Sequence, residues 1–270
     1  MSKDISRRKF LKLFGAGAAA TATALVGCKD NKTTQMEDEY KNQVEPPVGK
    51  MTYRVNPTTK DKVSLLGYGM MRLPTLPKQD EDDEDVIDQD QVNRLVDYAI
   101  EHGVNYFDTS PVYCQGHSEE STGKALHRHK RSEYFVATKL SNFNDALWTK
   151  EESIKMYRAS MKNLQVDYID YYLLHNIQPV YYDGVDGKGG IIKQTNLFDH
   201  AKKFKADGKI KHLGFSFHSS AKLLDRILTE HPEVEFVQIA LNPIDWDSEL
   251  VQAGKCYEVI RKHGKKVVIM

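Results

Sequence analysis

The feature that most constrains this chain is a regular alternation of short apolar runs with segments of helical period. Strand-like runs lie at 105–108, 134–139, 168–175, 210–216, 234–241 and 266–270. Between them, helical periodicity passes through Val92, Leu95, Val96, Ala99 and Ile100, restarts at Ser118, and returns over 149–164, 196–206, 219–230 and 249–262. His102-Gly103, Asp207-Gly208 and Gly264 read as helix ends, Ser118 as an N-cap, and Thr149 as a helix start with Glu151 and Glu152 in its first turn. Strands and helices alternating over short connections build parallel βαβ units. Such a sheet stays open and doubly wound or closes into a (β/α)8 barrel, and the spacing alone does not choose.

Polar residues recur where these strands end. Asp108 closes the first, with Tyr113 five residues on, past the turn at Ser110-Pro111; Lys139, His175 and Ser216 close the next three; Gln238 and Asn242 lie around the following one. In a barrel all these ends open on one face, where (β/α)8 enzymes carry their chemistry. Singly, each has a plain structural explanation: a solvated lysine, a satisfied core histidine, a buried amide. Their succession on consecutive strands favours a shared site.

At 270 residues the chain fits one large domain or two small ones. A formal net charge of zero gives no charge imbalance that points to nucleic acid. Cys28, Cys114 and Cys256 are scattered and form no C-x-x-C, so these residues supply neither a disulfide framework nor a metal or iron–sulfur site. The glycine-rich stretch 183–190 lacks the Gly-Lys-Ser/Thr of a P-loop, and the acidic run 80–85 lacks the glycine and spacing of an EF-hand.

The N-terminus reads as an address. Arg7-Arg8-Lys9-Phe10-Leu11 precedes a weakly apolar stretch from Leu13 to Val26, which resembles a twin-arginine export signal. Leu25-Val26-Gly27-Cys28 resembles a bacterial lipobox, with cleavage before Cys28 and a lipid on its thiol. Gly15, Gly17 and Ala20 fit a dinucleotide fingerprint, but no strand precedes them. The expected organisation is an export signal over 1–28, a flexible tether over 29–50 and a catalytic domain over 51–270. The expected location is the cell envelope on the periplasmic side, anchored to a membrane by lipid. The domain opens with strands at 51–56 and 62–66 about the turn 57–61, and the second strand, or its continuation 65–69, enters the core.

Several stretches together resemble the aldo-keto reductases. They are 66–74 (Leu-Gly-Tyr-Gly-Met-Met-Arg-Leu-Pro), 103–113, 118–126, Ala137-Thr138-Lys139, 167–175, 208–216 and 238–242. The likeness covers roughly residues 60–270, and it implies an α/β fold, the (β/α)8 TIM barrel. It also implies that the chain stops inside the seventh strand, leaving the barrel incomplete at its C-terminus with two strand edges exposed. The family's usual contacts to the cofactor's phosphates come largely after that point. The Met70-Met71-Arg72-Leu73-Pro74 opening resembles a subgroup that often carries an iron–sulfur cluster, which would be confined to an extension beyond residue 270.

The resemblance also implies roles. The family's catalytic Asp, Tyr, Lys and His fall on Asp108, Tyr113, Lys139 and His175. Tyr113 would donate a proton, helped by the charge of Lys139; Asp108 would hold Lys139; His175 would orient a substrate carbonyl. NADP(H) or NAD(H) would lie against Gly69, Met70, Met71 and Asp108, with Ser216 and Gln238 on its nicotinamide amide. The Ser-Asn expected after the fifth strand is Ser216-Phe217 here, which removes one amide contact. Tyr68, Met71, Trp148, Tyr181 and Trp246 are candidate pocket walls. The implied activity is reduction of an aldehyde or ketone to an alcohol, or the reverse. Partners would be a small carbonyl or alcohol, the membrane and a redox protein. The alternative is an exported lipoprotein that uses the barrel as a non-catalytic binding scaffold.

Overall fold

The structure, a computed structural model, describes residues 49–270 apart from 57–58, 79, 81–83, 144, 148 and 185–188. The stretch expected to be an export signal, with Cys28, and nearly all of the expected tether lie outside the described residues, as does Trp148.

Nine strands form two sheets among the described residues. Strands β1 (Tyr53–Val55) and β2 (Lys62–Ser64) pair as an antiparallel hairpin. The other seven lie side by side in chain order, all parallel: β3 (Tyr68–Gly69), β4 (Tyr106–Asp108), β5 (Phe135–Leu140), β6 (Ile169–Ile177), β7 (Ile210–Phe217), β8 (Phe236–Ile239) and β9 (Lys266–Ile269). Helices α1 (Gln89–Glu101), α2 (Ser118–Leu126), α3 (Lys150–Leu164), α6 (Leu197–Ala206), α7 (Ala221–Glu230) and α8 (Ala253–Lys262) alternate with them. Two one-turn helices, α4 (Pro179–Tyr182) and α5 (Ile191–Gln194), flank the glycine-rich stretch, where the sequence signalled only a loop.

The sheet is curled. Four strands apart in a flat sheet means about 19 Å, yet Gln238 of β8 donates from Nε2 to Asp108 Oδ2 of β4 at 3.5 Å. Strand parity explains what fills each side. Tyr106, Ala137, Tyr171, Leu173 and Phe236 alternate along their strands and meet in one inner cluster. The intervening residues Phe107, Val136, Tyr172, Leu174, Phe215 and Val237 face outward beneath the helices. Gly214 makes room inside: a Cβ there would stand 2.5 Å from the Phe236 ring and 2.6 Å from the Phe236 carbonyl oxygen.

Local sequence sets the helix ends. Asp88 accepts from the Gln91 N–H at 2.9 Å and caps α1, whose residues Val92, Val96 and Ala99 are buried. Thr149 caps α3 by accepting from Glu152 N–H. Ser118 corrects one expectation: it is the first residue of α2 and caps nothing. Its hydroxyl donates to the Met70 carbonyl at 2.6 Å, fastening the loop after β3 to the start of α2. Met51–Asn56 and Lys62–Leu66 form the hairpin, and the continuation, at Tyr68–Gly69, supplies the first strand of the curled sheet.

At the amino end of the sheet, Asp61, immediately before β2, is held in a charge relay centred on buried His212. His212 is held by Asp61 (Nε2–Oδ2, 2.6 Å) and by Glu235 (Nδ1–Oε2, 2.9 Å), and Lys205 pairs with Glu235. Burial alone would lower the pKa of His212, but the two carboxylates outweigh it and raise it above 6.5. Burial pushes Glu235 up, and His212, Lys205 and the Leu213 N–H more than reverse this, holding it at about 2.

Two predictions follow from this packing. The His212 contribution is complete below 6.5 and is lost as pH rises through its raised folded value. The Glu235 contribution is complete above 4.5 and is lost as pH falls toward 2. His212→Asn should therefore cost about 2 kcal/mol of stability between these limits and progressively less in alkali. Denaturant unfolding of both proteins across pH reads the difference, and a gap independent of pH contradicts the charge relay. Gly214→Ala should cost about 1–3 kcal/mol by overpacking against Phe236; an unchanged unfolding midpoint would show that the inner cluster is loose.

Candidate active site

The carboxyl ends of the seven parallel strands gather the predicted polar residues. Asp108 is the last residue of β4, Lys139 the fifth of six in β5, His175 lies near the end of β6, and Ser216 and Gln238 are register partners on β7 and β8. Lys139 is the centre of the group. Its side chain is 1% exposed, and its ammonium donates to Asp108 Oδ1 at 2.5 Å and to the Thr109 carbonyl at 2.8 Å. A buried ammonium requires such partners, because the cost of removing it from water is several kcal/mol.

The third side of the ammonium meets Tyr113. Lys139 Nζ lies 4.7 Å from the centre of the Tyr113 ring, so the contact is with the ring face. Tyr113 is carried by a short 3-10 turn in which Cys114 (φ 49°), Gln115 (φ 56°) and Gly116 (φ 95°) are all left-handed. Two non-glycine residues in that region are costly. The turn is held at its start by Tyr113 N–H donating to Ser110 O, and at Cys114 by its thiol donating to Met71 O at 3.2 Å.

His175 stands edge-on to Tyr113, with ring centres 5.9 Å apart, and Phe143 covers it at 4.8 Å. A register shift between Leu174 and Ile177, with Asn176 at φ 53°, ends the regular pairing of β6 here. Such bulges re-aim side chains beside active sites. Burial first, then the positive charge of Lys139 and the proximity of His218, lower the pKa of His175 to about 3. The imidazole is therefore neutral at physiological pH.

Ser216 and Gln238 have matching unused capacity. Ser216 is buried, and its Oγ accepts the Asn176 N–H at 2.8 Å, leaving the hydroxyl hydrogen to donate. Gln238 is buried, and its Oε1 has no hydrogen-bond partner among the described residues. A neighbouring donor and orphan acceptor complement a primary carboxamide, which carries one acceptor and two donor hydrogens. The residues present thus fit a nicotinamide group.

Other expectations are refined. Gly69 is exposed, with nothing within 4 Å of an added Cβ, and Met71 is 53% exposed. Met70 is fully buried in the core, so only its backbone can face a ligand. Asn242 folds onto its own loop, bonding Asp245 and the N–H groups of Ile244 and Asp245. Tyr68 packs on Phe107, and Trp246 packs against Gly254 and Tyr257. Tyr181 lies 6.1 Å from Phe143, beside the His175 wall.

Sequence reading missed Ser110 and Ser141, whose hydroxyls reach His175 Nδ1 at 3.4 and 2.6 Å. It also missed His218. Period two would have found the serines, since Ser110 follows Asp108 by two residues and Ser141 follows Lys139 by two. A cavity of about 440 Å³ lies at the opposite end of the sheet, walled by Asp61, Arg131, Tyr168, Asp170, Lys211 and His212. Its charged groups are largely spent on one another, through the Arg131–Asp170 and His212–Asp61 pairs.

The model of the aldo/keto reductase family matches residues 65–270. L-galactose dehydrogenase of Arabidopsis thaliana is 30% identical over 170 residues, covering 62% of this chain and 49% of that protein. An aldo-keto reductase of Mycobacterium tuberculosis is 27% identical over 176 residues, covering 64% and 57%. The chain spans about half the length of these curated relatives. Among solved structures, the holo form of an aldo-keto reductase from Bacillus halodurans aligns with a TM-score of 0.58 and 25% identity over 81% of this chain and 65% of that one. The Bombyx mori aldo-keto reductase in complex with NADP aligns at 0.56 and 22% identity over 84% and 66%, a likeness of fold. With its parallel strands in barrel order and the family model spanning all seven, this chain belongs to the aldo/keto reductase family.

Proposed function

We propose that the site reduces a small aldehyde or ketone to an alcohol, or runs the reverse reaction, with NADP(H) or NAD(H). The observation that carries this reading is the buried Lys139 ammonium, held between the Asp108 carboxylate and the Tyr113 ring, with neutral His175 facing that ring. Carbonyl reduction needs a hydride at carbon and a proton at oxygen. When bound, the nicotinamide supplies the hydride. Ser216 and Gln238 would hold its carboxamide, and Gly69, the Met70 backbone, Met71 and Asp108 would border it.

The chain's own residues manage the proton. His175 is uncharged well below neutrality, so it serves as a hydrogen-bond partner that orients the carbonyl oxygen. That leaves the Tyr113 phenol as the acid. The Lys139 charge at its ring favours negative charge building on the phenol oxygen as the proton leaves. Asp108 and the Thr109 carbonyl keep that ammonium from swinging away.

Steady-state reduction of a reactive aldehyde tests the roles. Tyr113→Phe should lower turnover by roughly 10²–10⁴-fold while cofactor affinity, measured by fluorescence titration, holds. Near-parent turnover would remove Tyr113 from the mechanism. Because His175 titrates only near 3, the pH profile between 5 and 9 should carry no limb that disappears in His175→Gln.

We further propose export and lipid anchoring, supported by Arg7-Arg8 and by Leu25-Val26-Gly27-Cys28. Several acyl chains hold a protein on a membrane stably where one holds it only marginally. Cys28→Ala should move the protein from the membrane fraction to the soluble one; full membrane retention would refute the anchor.

A further inference from the structure

A neutral histidine can donate a hydrogen bond to a carbonyl from Nε2 only when its proton sits there and not on Nδ1. Around His175 Nδ1 the structure builds a chain of hydroxyls. Ser141 Oγ lies 2.6 Å from Nδ1, Ser110 Oγ lies 3.1 Å from Ser141 Oγ, and the Val112 N–H points at Ser110 Oγ from 3.4 Å. Both serines are fully buried.

We propose that Ser110 and Ser141 are positioning residues that fix His175 in the form protonated at Nε2. The inference rests on the carbonyl-reduction reading for its catalytic use. Each hydroxyl has one hydrogen to give. If Nδ1 bore the proton, it would donate to Ser141, and Ser141 would donate to Ser110. The Ser110 hydrogen would then be buried with no acceptor among the described residues, since its other two neighbours, the Val112 N–H and Nδ1 at 3.4 Å, would both carry hydrogens. In the opposite direction every hydrogen finds a place. Ser110 donates to Ser141, Ser141 donates to Nδ1, and the ring proton is left on Nε2.

The same arrangement explains why the serines fall where they do. Ser110 leaves β4 and Ser141 leaves β5, each two residues past a member of the buried ion pair. The strands that hold Asp108 and Lys139 together therefore also bring the two hydroxyls to the same side of His175.

The test is nitrogen NMR of the full chain labelled with ¹⁵N-histidine, at neutral pH, with His175 assigned through His175→Gln. The parent should show His175 with an unprotonated Nδ1 and a protonated Nε2. Ser141→Ala should shift His175 toward the other tautomer, and Ser141→Thr should restore the parent pattern. Turnover should fall roughly five- to tenfold in Ser141→Ala, the worth of one net hydrogen bond, and recover in Ser141→Thr, with cofactor affinity unchanged throughout. A parent spectrum with Nδ1 protonated overturns the proposal, and this arm needs no variant to fold. An unchanged tautomer in folded Ser141→Ala overturns it as well. The predicted tautomer in a parent chain that reduces no carbonyl would instead overturn the reading of the site as a reductase and leave the hydroxyl chain standing.

Discussion

The carboxyl end of the curled sheet depends on one buried ion pair. Lys139 is almost entirely withdrawn from water, and an unpaired ammonium there would be prohibitive. Asp108 supplies the opposite charge from the neighbouring strand, and the Thr109 carbonyl takes a second ammonium hydrogen. The pair also reaches across the curled sheet, since the other oxygen of Asp108 receives the Gln238 amide from β8. Removing Lys139 would leave a carboxylate unpaired at the point where β4, β5 and β8 converge. Such losses cost about 3–5 kcal/mol, so stability and the proposed chemistry draw on the same contact.

The two ends of the sheet use charge differently. At the amino end, His212 sits between two carboxylates that favour its charged form and tie Asp61 to the strands. At the carboxyl end, His175 is kept neutral by burial and by a nearby ammonium, and its ring nitrogen is met by hydroxyls. One histidine is pushed toward the cation and the other toward the neutral ring. The surroundings alone decide this, because the side chain is the same. Division between a stabilising end and a reactive end is a general property of barrels built from βα units.

Much of the fold could be read from strand parity and helix punctuation. The run of apolar stretches gave all six strands from β4 to β9, and Thr149 was legible as a cap. Strand position placed Asp108 and Lys139 at neighbouring strand ends, and their pairing was expected from the family resemblance. Ser118 was misread because a serine before a helical run looks like a cap, and its actual partner, the Met70 carbonyl, lies 48 residues away in sequence. Met70 was expected as a cofactor contact from the family resemblance, yet its side chain finds the core. The curl that lets β8 touch β4 was not legible from spacing, since open and closed sheets share the same alternation. The contact of Lys139 with the ring face of Tyr113 depends on a left-handed turn at Cys114 and Gln115 that neither residue type announces.

The most direct measurement is isotope transfer. The full chain would be incubated with an aldehyde and with NADPH carrying deuterium at the transferable position of the nicotinamide, and the product read by mass spectrometry. A carbonyl-reducing site predicts an alcohol with one deuterium on the former carbonyl carbon, formed roughly 10²–10⁴-fold more slowly by Tyr113→Phe. Absence of alcohol from the parent chain, or alcohol without the label, would contradict the account.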